Sequence, residues 1–386
     1  MDESPRLTAR KALTIAKTTS VAIVRLVGAI WMLPMIRLDL QASDSSNRSD
    51  QLTDIMSRKA KEGFSGSVLI SRENMVLLRQ GYGFSNVSTH QKNLPGTLFR
   101  IGSLTKAFTG TLTVRLASQG RLRLDEHLNW SQLSPVWSEL TPHLLLLHQS
   151  GLPELTTEPG FDAPGEPRDG FSRLLQLGHR PLEFKPGSQT LYSNSGYILL
   201  GAWLEHVTGQ TYSALLGDQI ARPAGLSHTY DVSESDHCSR ALGYGPDTGV
   251  WELASERDPK LLGAAGALVS NIEDLYLFYR ALSDQKLLKQ PWLDLLLKEQ
   301  APGFTYGWRR RRIFDQDIIY QAGQVRGFSA AMIASPSQQV FIVVLANRET
   351  HSASAVALEL LLSISRQTGP TSDPSASRPT PLVRHQ

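Results

Sequence analysis

Cysteine is nearly absent from this chain of 386 residues: Cys238 stands alone, which excludes an internal disulfide and any cysteine-built zinc site. Net charge is nearly absent too. Lys and Arg number 39 against 36 Asp and Glu, a formal +3, which gives no electrostatic case for a nucleic-acid partner. No segment repeats with a period of 20–50 residues, so nothing points to a solenoid or a propeller. Long apolar runs are scarce where they would matter most. Arg25 breaks the segment Val21–Ile36, and the clean stretch Leu26–Ile36 is too short to span a bilayer. What remains is 41% hydrophobic and 19% charged, the composition of a globular protein with room for one two-lobed domain or two ordinary ones.

The two ends differ from the body. Arg6, Arg10, Lys11 and Lys17 precede the apolar segment, the arrangement of a secretory signal, with Leu40-Gln41-Ala42 as a cleavage site. Left uncleaved, the same segment would anchor the chain with its N-terminus in the cytoplasm. Both readings put the folded body outside the cytoplasmic membrane, periplasmic or held on its outer face. The stretch Thr368–Gln386 is rich in Pro, Ser and Thr and reads as a disordered tail. One basic run, Arg309 to Arg312, reads as a solvated strand entering the turn Asp315-Gln316-Asp317, with an anion-binding patch as the alternative.

Periodicity outlines the body. Leu52, Ile55, Met56 and Ala60 recur at helical spacing. Two apolar runs around Arg72-Glu73-Asn74 predict a hairpin. From Ser103 to about Lys298 the pattern is mainly helical, broken by Pro/Gly loops. "DIIYQAG", "GFSAAMIASP" and "QQVFIVVLAN" then read as strands, followed by a helix from about Ala353 to Ser365. Strands at both ends of a helical middle predict an α/β (α+β) fold: an antiparallel sheet built from both chain ends, flanked by helices, with an inserted mainly helical lobe.

Two short stretches carry candidate chemistry. In "FRIGSLTKAFTG", Ser103 and Lys106 lie one helical turn apart, and Phe108, Leu112 and Leu116 form an apolar stripe that predicts burial. A lysine withdrawn from water beside a serine is a candidate to take up its proton, which makes the serine a nucleophile. The bland alternative is a helix-capping serine with a lysine reaching back to solvent. In "LYSNSGYILLGAWLEHVTGQ", Tyr192 and Asn194 sit at a loop-to-helix junction, able to direct a phenol and an amide into a cleft, or simply to cap and pack.

In this order the two motifs resemble the serine β-lactamase and penicillin-binding protein superfamily. Tyr-Ser-Asn points to its class C-like branch of β-lactamases, D-alanyl-D-alanine carboxypeptidases, D-amino-acid peptidases and serine esterases. "FSGSVLISRENMVLLRQGYG", "HQSGLP", "RALGYG" and "GAAGALVSNIEDL" are similar to further landmarks, so the resemblance runs from about Gln51 to Gln367. With the two ends as read above, the chain divides into a signal peptide or anchor at 1–42, a hydrolase domain at 43–367 and a tail at 368–386. The resemblance assigns Ser103 as the acylated nucleophile, Lys106 as its proton partner and Tyr192 as acid/base. Asn194 would hold the substrate amide and the lysine, and the backbone N–H groups of Ser103 and Gln324 would form the oxyanion hole. No metal or organic cofactor is implied, the protein is expected to be a monomer acting on a small molecule or peptide, and His148 and Cys238 are read as structural.

The third family element departs. Where the superfamily has Lys-Thr-Gly or His-x-Gly, this chain has Gln321-Ala322-Gly323. Gly323 is kept, where a side chain would push the strand away from substrate. The cationic or titratable residue that helps bind a substrate carboxylate is replaced by neutral Gln321, and Arg326 is the candidate to restore the charge. The resulting expectation is an esterase or D-amino-acid peptidase that prefers neutral short-chain esters, with a true β-lactamase and a non-catalytic, membrane-tethered binding protein as rivals.

Overall fold

A computed structural model describes residues 45–365 apart from 162–168, 234–239, 247, 249, 314–315 and 350–351, without the side chains of 45–48. The N-terminal segment, the tail and Cys238 lie outside the described residues. Among the described residues no helix is long and apolar enough to cross a membrane.

The expected helix is α1, Ser45–Lys61. The hairpin follows as β1 (Gly66–Arg72) and β2 (Met75–Tyr82), turning through Glu73 and Asn74, both at positive φ. The buried helix α2 (Thr105–Ser118) leads into a middle region that carries α3 (Asn194–Thr208) and α4 (Ile272–Ser283). The chain closes with β3 (Arg309–Ile313), β4 (Gln316–Val325), β5 (Phe328–Ser335), β6 (Val340–Ala346) and α5 (Ala353–Ser365). These strands form one six-stranded sheet in the order β2-β1-β6-β5-β4-β3, antiparallel throughout. The sheet is therefore closed by pairing the first strand with the last, Gly66 opposite Ala346 and Arg72 opposite Val340.

Every residue of β6 is buried. Its unbroken Val-Phe-Ile-Val-Val-Leu-Ala run suits a strand covered on both faces rather than an alternating one. Val68, Ile70, Ile342 and Val344 pack with Leu52 and Met56 of α1 and Val356 and Leu360 of α5. Leu69, Phe341, Val343 and Leu345 face the other way, where Leu275 and Phe278 of α4 join the larger core. Phe108, Leu112 and Leu116 of α2 are fully buried, each contributing roughly 1.5–3 kcal/mol of transfer free energy. The same helix buries Thr109, Thr111 and Thr113, whose hydroxyls bond back to the carbonyls four residues earlier at 3.2, 2.7 and 2.8 Å.

The middle is less helical than its pattern suggests. Between α2 and α3 the described helices are short, Pro142–Leu146 and Gly170–Gln176 the longest of them. A small second sheet also appears there, with Leu268–Ser270 pairing both Phe99–Arg100 and Tyr230–Asp231. Its strands of two or three residues are too short for period-2 alternation to register in the sequence.

Candidate active site

Ser103 lies in a 3-10 turn, Gly102–Leu104, that runs straight into α2. It does not cap that helix: the cap position is Leu104, without a side-chain bond. Lys106 does not reach for solvent either, since it is 0% exposed. Its Nζ donates to Ser103 Oγ (3.1 Å), Asn194 Oδ1 (2.9 Å) and the Ala265 carbonyl (2.8 Å). Three acceptors surround a group that as an ammonium has three N–H bonds, so burial leaves none of them orphaned. Ala265 is placed by the small sheet, through Ile101 N–H donating to Leu268 O and Leu268 N–H to Thr105 Oγ1.

Tyr192 also meets Ser103, phenol to hydroxyl at 2.7 Å. Its ring lies against Lys106 Nζ, 4.9 Å from the centroid, and against the His148 ring at 4.7 Å. His148 grips the backbone on both flanks of the tyrosine: its carbonyl accepts from Leu191 N–H (3.0 Å) and its Nδ1 from Ser193 N–H (3.1 Å). Accepting at Nδ1 puts the ring proton on Nε2 in a neutral imidazole. Burial first, then the charges of Lys106 and Arg309, hold His148 well below the usual histidine range. Ser193 caps α3 by accepting from Gly196 N–H at 3.1 Å.

Asn194 opens α3, and its amide orientation is fixed by chemistry: the lysine can only donate and a carboxylate only accept. Oδ1 therefore faces Lys106, while Nδ2 donates to Glu154 Oε1 (3.1 Å) and Thr156 Oγ1 (3.2 Å). Glu154 also accepts from the Asn194 backbone N–H (2.8 Å), placing its charge at the positive end of α3. So Asn194 holds the lysine, as expected, but both of its amide hydrogens are spent on protein rather than left for a substrate amide. Glu154 was not among the expected site residues. It follows directly on the "HQSGLP" landmark, but nothing local in the sequence links it to a helix start 40 residues away.

The end of β4 packs on the serine turn. A Cβ on Gly323 would lie 2.0 Å from Ile101 O and 2.9 Å from Ser103 N, and one on Gly102 2.9 Å from Gln324 N. Gly323 is thus required by the contact between the strand and the Ser103 turn. The same contact lays the backbone of Gln324 close to that of Gly102.

Gln321 is 4% exposed and engaged at both ends of its amide, donating to Gly307 O (2.7 Å) and accepting from Ala322 N–H (3.0 Å). Gly307 reaches it because the loop before β3 lies directly on α2, where a Cβ on Gly307 would stand 2.1 Å from Lys106 O. Arg326 lies in the exposed β4–β5 turn and donates to Ser255 Oγ at 2.9 Å. Neither supplies a described contact to the Ser103 cluster. Another cation does: the Arg309 guanidinium lies 5.4 Å from the centre of the Tyr192 ring and 4.5 Å from that of Phe304. No cluster of His, Cys, Asp or Glu able to hold a metal occurs among the described residues.

Comparison with known proteins agrees with this architecture. Protein flp of Staphylococcus aureus (strain COL) is 27% identical over 326 residues, covering 78% of this chain and 64% of its own length. A D-aminopeptidase of Gluconobacter oxydans is 26% identical over 339 residues, covering 83% and 62%. The chain thus spans less than two thirds of either relative. Among solved structures, D-amino acid amidase from Ochrobactrum anthropi SV3 superposes with a TM-score of 0.72 over 85% of this chain and 100% of its own, at 23% identity, a likeness of fold. The Beta-lactamase family model matches residues 53–364, taking in every residue of the Ser103 cluster, and the chain belongs to that family.

Proposed function

We propose that this protein is a serine hydrolase that cleaves an ester or amide through an acyl-enzyme at Ser103. The observation that carries the reading is the convergence of Lys106 and Tyr192 on one hydroxyl, at 3.1 and 2.7 Å. Ser103 Oγ attacks the substrate carbonyl carbon, and its proton passes into the Lys106–Tyr192 pair. The carbonyl oxygen, now bearing charge, is received by the N–H groups of Ser103 and Gln324; a donor of this kind is typically worth ~10²–10³ in rate. Tyr192 returns a proton to the leaving group as the carbon–heteroatom bond breaks. A water then gives a proton to the same pair, attacks the acyl carbon and restores the Ser103 O–H as the acid departs. The names of two relatives, a D-aminopeptidase and a D-amino acid amidase, support amides or esters of D-amino acids as substrates.

Intact-mass analysis after separate incubation with a fluorophosphonate, a penicillin and a p-nitrophenyl ester tests this. A single adduct mapping to Ser103, and its loss in Ser103→Ala, is expected. Labelling that persists in that variant refutes the assignment, and absence of any adduct or turnover favours a binding protein that kept the fold.

Export is proposed alongside, on the basic and apolar N-terminal segment. Fractionation of the host with N-terminal sequencing decides between a cleaved signal and an anchor. Full-length protein confined to the cytosol refutes both.

A further inference from the structure

The four consecutive arginines of β3 do not form one solvated face. Strand alternation splits them. Arg310 turns to Asp317, its Nε donating at 2.9 and 3.0 Å, and Arg310 followed by Arg312 holds the Asp317 carboxyl below the usual range. Arg309 turns the other way, onto Tyr192 and Phe304, and is only partly exposed. Among the described residues its guanidinium has ring contacts but no ion pair and no hydrogen bond. A cation with five N–H donors thus stands against the Tyr192 ring without an acceptor among the described residues. Its charge is felt in the site, since it helps to hold buried His148 neutral.

We propose that Arg309 is a specificity-determining residue that receives a carboxylate carried on the leaving-group side of the substrate. The proposal rests on the acyl-enzyme reading above. It places the anion on the leaving-group side because Tyr192, which protonates the leaving group in that scheme, is the residue whose ring the guanidinium overlies. A planar guanidinium backed by two aromatic rings is weakly hydrated and matches a carboxylate with two parallel N–H···O bonds. The other two candidates are committed elsewhere, Gln321 to Gly307 and Ala322, and Arg326 to Ser255. The neutral Gln321 therefore does not make this a site for neutral substrates: the cation comes from the neighbouring strand, where Arg309 pairs with Tyr320, one residue before Gln321.

The test compares two esters of one acid, with 4-nitrophenol and with 3-carboxy-4-nitrophenol as leaving groups. The quantity read is the ratio of kcat/KM for the carboxylated over the plain ester. R309Q should lower that ratio by about tenfold to a hundredfold, the usual worth of a charge-assisted hydrogen bond in a partly desolvated site. R309K, which keeps the charge but not the fork, should lower it less. In the unaltered protein the ratio should fall as salt is raised, a measurement that does not depend on any variant folding. A ratio that R309Q leaves unchanged overturns the proposal. So does an unchanged ratio with the acid limb of the pH profile displaced upward, which would make Arg309 a partner of Tyr192 alone. Fluorophosphonate labelling of Ser103 in R309Q keeps the two readings apart: an adduct with an unchanged ratio sinks only the role of Arg309, whereas no adduct even in the unaltered protein sinks the acyl-enzyme.

Discussion

Glu154→Gln changes one charge and almost no volume, and the structure predicts a loss of activity well beyond the loss of stability. The carboxylate accepts from Asn194 N–H at 2.8 Å, Asn194 Nδ2 at 3.1 Å, Thr156 N–H at 3.3 Å and the Thr156 hydroxyl. A glutamine has one acceptor oxygen for these donors, and its NH₂ must face at least one N–H group. Losing one charge-assisted bond, in a group that is partly exposed, costs about 1–2 kcal/mol. For a domain of this size that is a fall in Tm of roughly 1–3 °C. The larger effect is on orientation. With the carboxylate replaced, the Asn194 N–H and Nδ2 lose part of the acceptor that anchors them, and the amide whose Oδ1 sits 2.9 Å from Lys106 Nζ can drift away from the lysine. The lysine would then lose one of its three acceptors and with it the geometry that aims it at Ser103. A misplacement of that kind costs about ten- to a hundredfold in kcat/KM. Ester turnover read beside a thermal melt checks both halves. Unchanged turnover in Glu154→Gln would show that Asn194 is held without it and would refute the reasoning.

Gly323→Ala should destabilise the fold by several kcal/mol, because its Cβ would stand 2.0 Å from Ile101 O, backbone against backbone; denaturant unfolding measures it. His148 is buried neutral with its folded value depressed from 6.5, so below about pH 6.5 the unfolded chain takes up the proton first. Stability should fall with pH in that range by up to ~1.4 kcal/mol per unit, and His148→Asn, which suits the φ of +60° at that position, should flatten the slope. Gln321→Lys should lower Tm and leave the ratio between carboxylated and neutral leaving groups close to that of the unaltered protein, since a lysine there cannot accept from Ala322 N–H, is buried, and can spend its donors on Gly307 O; a rise of tenfold or more would contradict the assignment of the cation to Arg309.

Periodic features of this chain were readable in advance, and contacts between distant segments were not. The hairpin at Glu73-Asn74, the continuous apolar strand Val340–Ala346 and the buried stripe of Phe108, Leu112 and Leu116 all rest on local pattern, which the packing then obeys. Ser103, Lys106, Tyr192 and Asn194 could be singled out because each pair falls within a few residues. Glu154 could not, since its partner is the first residue of a helix far along the chain, and a carboxylate in a loop looks alike whether it meets water or a helix end. Arg309 was averaged into a run of four like charges, whereas alternation about the strand sends neighbours to opposite faces. Gly323 was correctly marked as a close approach, but only the fold reveals that the approaching group is Ile101 O.

Pairing the first strand of the sheet with its last ties assembly of the Ser103 site to the synthesis of β4 and β6. Ser65 Oγ donates to Asn347 Oδ1 across 282 residues of chain, and β1 has β6 as a neighbour. Contacts of such separation form late and slowly. The nucleophile turn is made early, at residue 103, but the strand that brings Gln324 beside it follows more than 200 residues later, and β6 later still. A nascent or truncated chain ending before β4 therefore carries the serine without the second N–H group and without the sheet that holds it. On the proposed mechanism, such a fragment would lack half of the machinery that receives the carbonyl oxygen of the substrate.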